Sequence, residues 1–266
     1  MSSSLFIPSY DSGDSYSPIP WSWIFPTIKI CLLLATAMSV HVSLSPPNPS
    51  VKSEECCSGI EGTDTMFERF VQSITYCSKC MVWAGVLCNI FSVLVHCAVR
   101  AATADELPWG MGIVASLGDV TVDSEVVSKP LVVGALVTVV AAALRTWCFR
   151  ALGPFFTFEI TIRPKHELIT HGPYAWVRHP SYTGVYLTLT GASLVLASPG
   201  TWTADTGVWN PVGGAIACFW AFKCMFAFRG MGVRLRAEDL VLKETFGEVW
   251  EEYVRRVPCK FIPGVV

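Results

Sequence analysis

The chain has 266 residues, 52% of them hydrophobic and 15% charged, and a formal net charge of −2. With a mean hydropathy of +0.47, this balance excludes an ordinary soluble domain. No basic patch interleaved with aromatics is present, so nucleic acid is excluded as a partner.

Residues 1–22 are rich in Ser and Pro and carry no Lys or Arg. They are expected to form a mobile tail and lack the basic n-region of a cleavable signal, so the first apolar segment should remain as an anchor. A membrane-spanning helix needs about 20 mostly apolar residues. Five stretches qualify: 23–44, 80–99, 130–149, 182–197 and 209–228. The fourth is short, and the second and third have room to extend. No internal repeat or domain boundary is visible, so residues 1–266 are expected to form one all-α integral membrane domain.

Most of the basic residues fall in the segments 45–79 and 150–181 and in the tail after Phe228. By the positive-inside rule, these segments should face the cytosol and the N-terminus the opposite side. Lys29, Arg145 and Lys223 lie near span ends and are expected to snorkel toward the interface. Among the eleven cysteines, only Cys56-Cys57 and Cys77-x-x-Cys80 form local patterns, and most others sit in apolar runs. Without a second pair at ligand spacing, no metal is expected.

Residues 166–184 concentrate the chemistry, with His166, His171 and His179 among two prolines, two tyrosines, an arginine and two glycines. Pro180 cannot continue a helix but suits a first helical position, so a helix should begin near Ser181. The free N–H groups beside Arg178 and His179 would then form an anion-binding corner. In the tail, Leu235, Leu242, Phe246, Val249, Trp250 and Tyr253 recur at helical spacing. That pattern predicts an amphipathic helix along the membrane surface, ending before Pro258. Arg234 and Glu238 share one face of it, where the plain expectation is a solvated ion pair.

The loop Gly172-Pro-Tyr-Ala-Trp-Val-Arg-His-Pro-Ser-Tyr-x-Gly184 resembles the signature of membrane-embedded isoprenylcysteine carboxyl methyltransferases. The tail strengthens the resemblance, with Arg234-x-x-x-Glu238-Asp239, Phe246-Gly247-x-x-Trp250-x-x-Tyr253 and Arg256-Val-Pro-Cys-Lys-Phe-Ile-Pro-Gly264. Residues 157–193 and 228–265 carry the likeness. Asp239 stands where the family usually has a second Glu, and Trp250 where it usually has Tyr.

The resemblance implies methyl transfer from S-adenosyl-L-methionine to the C-terminal carboxylate of a prenylated cysteine on CaaX-type proteins, in the endoplasmic reticulum membrane. The amphipathic C-terminal helix would close a cofactor site facing the cytosol. The family's cofactor contacts fall on Glu159, His166, Glu167, Leu168, Ile169, Tyr174, His179, Pro180, Ser181, Tyr182 and Glu238. Arg234 matches the residue that faces the substrate carboxylate, and Arg234, Glu238 and Arg178 are the expected catalytic set. An α-carboxylate with a pKa near 3.5 is already ionised, so no general base is required. The alternative is a phospholipid N-methyltransferase, whose cationic amine Arg234 would repel. A sterol-reductase-like oxidoreductase and a non-catalytic lipid-binding paralogue rank below it.

Overall fold

The computed structural model describes residues 21–49, 65–101, 126–158, 160–161, 166–262 and 264. Among the described residues, six helices carry the fold: α1 (Trp21–Ser43), α2 (Met66–Ala101), α3 (Lys129–Leu152), α4 (Pro180–Leu196), α5 (Pro211–Phe246) and α6 (Glu248–Arg256). No strand occurs among the described residues. The expectation of an all-α membrane protein is met.

Among the described residues, four helices are long and apolar enough to cross a membrane: Trp23–Ser43, Met66–Val99, Lys129–Phe155 and Pro211–Phe246. The fourth of the five expected spans falls on α4, which has 17 residues and is not among these four. At 1.5 Å per residue it is about 25 Å long, short of a hydrocarbon core of about 30 Å. Large apolar side chains such as Phe91, Leu136, Phe222 and Met225 point outward. Such continuous exposed faces suit contact with lipid tails rather than water.

Local chemistry sets the helix ends. Thr65 Oγ1 accepts the N–H of Glu68 (3.2 Å), capping the start of α2. Asn210 does the same for Val212 (2.9 Å) at the start of α5. Pro180 is the first residue of α4, one position before the expected start. The helices run alternately up and down. Arg145 of α3 donates to the Ser43 carbonyl of α1 (2.9 Å), and Glu68 of α2 meets Arg234 of α5 (2.9 Å), at one end. At the other end, Lys29 of α1 bonds the Gly200 carbonyl and Asn89 of α2 bonds Thr203 (3.3 Å). The loop 153–179 and the segment after Phe246 therefore share the first end.

The core pair is α3 and α4. Their backbones approach closely at Gly134 and Gly191, where a Cβ on either would lie under 3 Å from the other's carbonyl oxygen. Close approach of small residues is how helices gain contact where lipid removes the hydrophobic drive.

Two expectations are corrected. The 209–228 span and the surface helix expected after it are one continuous helix, α5, of 36 residues. The break comes at Gly247, whose φ of 51° lies in the left-handed region, and only the nine-residue α6 follows as a separate amphipathic piece. Lys29, Arg145 and Lys223 do not snorkel: they are 0%, 2% and 5% exposed. Their partners pull them inward, Lys29 to Gly200, Arg145 to Ser43 and Lys223 to the Ser78 hydroxyl (2.6 Å).

Candidate functional site

A cavity opens where the ends of α1 to α5 meet the loop 153–179 and helix α6. Its empty volume is about 1240 Å³, counted to its open mouth. One part of the wall is apolar, from Phe67, Val71 and Ile74 of α2 and Met231 of α5. The other part is polar and aromatic, from Arg145, Arg178, Tyr174, Tyr182, Arg234 and Glu238.

Of the residues anticipated from sequence, His166, Glu167, Leu168, Ile169, Tyr174, Ser181, Tyr182, Glu238, Arg234 and Arg178 all line this cavity. His179 and Pro180 do not, and lie buried behind its wall. Glu159 falls outside the described residues.

Arg234 is 7% exposed, and its Nη1 donates to Glu68 Oε2 (2.9 Å). Its guanidinium also lies over the Tyr182 ring, 5.8 Å from the centroid. Glu238 accepts from Tyr182 Oη (2.5 Å) and stands 3.7 Å from His179 Nδ1. In place of the expected solvated Arg234–Glu238 pair, Arg234 pairs with Glu68 of α2, and the part-exposed Glu238 pairs with Tyr182 of α4. Glu68 escaped the sequence reading; the Thr65-x-x-Glu68 pattern of a capping box was its only local signal. Its other oxygen accepts the Ile160 N–H (2.9 Å), tying the loop to α2.

The expected anion-binding corner at Arg178 and His179 is filled by the chain itself. Their N–H groups donate to the carbonyls of Cys259 (3.0 Å) and Lys260 (2.8 Å). Arg178 Nη1 adds bonds to the Val257 and Pro258 carbonyls (3.0 and 2.8 Å). Backbone partners from a distant segment took the donors that sequence left open.

Asp239, read from sequence only as a departure from a family pattern, is the hub of this latch. Its carboxylate meets His179 Nε2 (2.8 Å), Lys260 Nζ (3.2 Å) and Arg178 Nη2 (3.4 Å). Burial opposes a charge on His179, but hydrogen bonds to Asp239 and Glu238, with their negative charges, outweigh it and push its pKa up to about 9. The imidazole is therefore a cation at neutral pH, paired to two neighbouring carboxylates of α5. Tyr253 Oη donates to the Tyr174 carbonyl (2.8 Å), and Trp250 packs beside it, so α6 is fastened over the loop.

No group of three potential metal ligands occurs among the described residues. The polar wall can instead hold an amphiphilic organic group. Carboxylate Glu238 is an acceptor for hydroxyl or amino groups, Tyr174 and Tyr182 offer π faces, and buried nitrogens of Arg145, Arg178 and Arg234 meet no acceptor among the described residues.

Residues 132–204 match the model of the isoprenylcysteine carboxyl methyltransferase (ICMT) family. A probable protein-S-isoprenylcysteine O-methyltransferase of Oryza sativa subsp. indica is 29% identical over 127 residues, covering 47% of this chain and 57% of the relative. Protein-S-isoprenylcysteine O-methyltransferase of Homo sapiens is 32% identical over 140 residues, covering 50% and 42%. Protein-S-isoprenylcysteine O-methyltransferase B of Arabidopsis thaliana is 31% identical over 127 residues, covering 47% and 55%. The chain thus spans about half the length of the curated relatives it matches. By its motifs, its match to the family model and its relatives, this membrane chain is similar to the isoprenylcysteine carboxyl methyltransferase family.

Proposed function

We propose that the chain is a protein-S-isoprenylcysteine O-methyltransferase that uses S-adenosyl-L-methionine to esterify the C-terminal carboxylate of a prenylated cysteine. The observation that carries this reading is the two-sided cavity at the bundle end, apolar toward Phe67, Val71 and Met231, charged toward Arg234 and Glu238. That combination suits a lipid tail and a carboxylate on one substrate, beside a water-soluble donor.

When bound, S-adenosyl-L-methionine supplies a methyl group on a positively charged sulfur. The backbone and side chains of His166, Glu167, Leu168 and Ile169, with Tyr174, Ser181, Tyr182 and Glu238, would hold it. Arg234 would hold the acceptor carboxylate, kept rigid by its bond to Glu68. A planar guanidinium grips a carboxylate through two parallel hydrogen bonds, which fixes the attacking oxygen. Attack of an anion on a cation disperses charge, so the seal made by α6 and the latched tail would assist by excluding water. No residue has to remove a proton, because the carboxylate is ionised at neutral pH.

The arrangement disfavours the alternative acceptors. Arg145, Arg178 and Arg234 in one wall repel a cationic amine, which argues against phospholipid N-methylation. The site would face the cytosol, because most basic residues fall in the segments 45–79 and 150–181 and after Phe228, in the endoplasmic reticulum as the family resemblance implies. Membranes carrying the chain, given methyl-labelled S-adenosyl-L-methionine and N-acetyl-farnesylcysteine, should form a base-labile methyl ester. Label appearing only in phospholipid, or nowhere, would overturn the reading.

A further inference from the structure

Three guanidinium groups reach the cavity, and two have carboxylate partners. Arg178 has Asp239 (3.4 Å) and Arg234 has Glu68 (2.9 Å). Arg145 of α3 pairs with no carboxylate among the described residues. Its Nε donates to the Ser43 carbonyl (2.9 Å) and its Nη1 to the Ser181 hydroxyl. Its Nη2 is buried and meets no acceptor among the described residues. The rings of Phe149, Phe156 and Phe158 surround the guanidinium, at 4.7, 5.3 and 5.9 Å from its carbon.

A buried cation walled by phenyl rings and lacking a counter-ion is costly, and its free N–H adds to the cost. The fold nevertheless makes room for it. A Cβ at Gly184 would stand 2.6 Å from Arg145 Cγ, so α4 keeps a bare backbone where the arginine stem passes. The remaining open side is the cavity, which Arg145 lines next to Ser181 and Tyr182.

We propose that Arg145 is a ligand-binding residue, whose Nη2 takes a carboxylate that enters the cavity. Two carboxylates are available on the proposed reaction, that of the methionine part of the donor and that of the prenylcysteine acceptor. This inference rests on the methyl-transfer reading. It adds a second anion site to it, distinct from Arg234, which already has Glu68.

The test is equilibrium binding to the purified full chain in lipid nanodiscs, with two matched pairs of probes. One pair is S-adenosyl-L-methionine and its decarboxylated analogue; the other is N-acetyl-farnesylcysteine and its carboxamide. Arg145→Gln should weaken the carboxylate member of one pair by about 10- to 100-fold and leave its carboxylate-free partner unchanged. Loss on the first pair assigns the donor carboxylate, and loss on the second assigns the acceptor. Arg145→Lys, which keeps the charge, should recover part of the affinity. Equal weakening of both members of a pair would mean that Arg145 only supports the fold, and would overturn the inference. Unchanged ratios for both pairs would overturn it as well. If the wild-type chain binds none of the four probes, the methyl-transfer reading fails, and the Arg145 site falls with it.

Discussion

The two ends of the helix bundle both bury cations, and they do so for different reasons. At the end away from the cavity, Lys29 is fully buried and its ammonium meets the Gly200 carbonyl in a turn that Asp205 also pins, accepting the Gly200 N–H (2.8 Å). Around this turn Thr201 and Thr203 share a hydroxyl hydrogen bond (3.2 Å), and the Asn89 amide donates to Thr203 (3.3 Å). At the cavity end, Arg145, Arg178 and Arg234 keep buried nitrogens that meet no acceptor among the described residues, beside open space. A cation satisfied by its own backbone closes a turn. Cations left incompletely satisfied around a cavity have binding capacity in reserve, because a bound anion removes a desolvation penalty already present.

The sharpest way to break this contrast is Arg234→Ala. It should lower kcat/KM for N-acetyl-farnesylcysteine about 100-fold or more and destabilise the chain, because the Glu68 carboxylate loses its cation and keeps the Ile160 N–H. Retained turnover in the Ala variant would remove Arg234 from the site. Arg234→Lys separates the roles: turnover should fall more than donor affinity, since Lys cannot copy the two-pronged grip.

A second effect follows from pH. The folded pKa of His179 is about 9, against about 6.5 for a free imidazole. The raised value means that its contribution is fully present below about pH 6.5 and is lost as pH rises through 9. The window is worth at most about 3 kcal/mol. Groups facing the ring are Asp239 and Glu238 of α5, with Tyr182 of α4 beside it. Thermal melting should fall between pH 7 and 9.5 in the wild type, and Asp239→Asn should flatten that slope. A slope unaltered by Asp239→Asn would detach the latch from His179.

Glu238→Gln should weaken donor binding by about 1–3 kcal/mol, the usual loss for a charge-assisted acceptor. An unchanged donor Kd would leave Glu238 as a partner of Tyr182 and His179 alone. The smallest effect on binding belongs to the opposite end. Lys29→Met should cost about 1–2 kcal/mol of stability by orphaning the Gly200 carbonyl, with donor and acceptor affinities untouched. A change in either affinity would erase the distinction between the two ends.

What the sequence determined by itself is local. Apolar runs long enough for lipid, the proline that opens α4, and the helical spacing of Trp250 and Tyr253 depend on neighbours a few residues away, so they could be read in order along the chain. The stretch 166–184 was marked by its density of polar residues between apolar ones, and its likeness to a methyltransferase family stood on the same letters. What only the tertiary structure decided are the pairings across long separations. Arg234 chose Glu68, 166 residues away, over Glu238 one turn along its own helix. Arg178 and His179 gave their N–H groups to the C-terminal segment. Arg145, dismissed as a snorkelling side chain, turned inward because Ser43 and Ser181 offered oxygen atoms and Gly184 offered room. The α5 helix ran on past Phe228 because nothing in the chain interrupts it before Gly247. Helix and span formation draw on short-range propensity and hydropathy, whereas the fate of a buried charge depends on which acceptor the packed bundle brings within 3 Å.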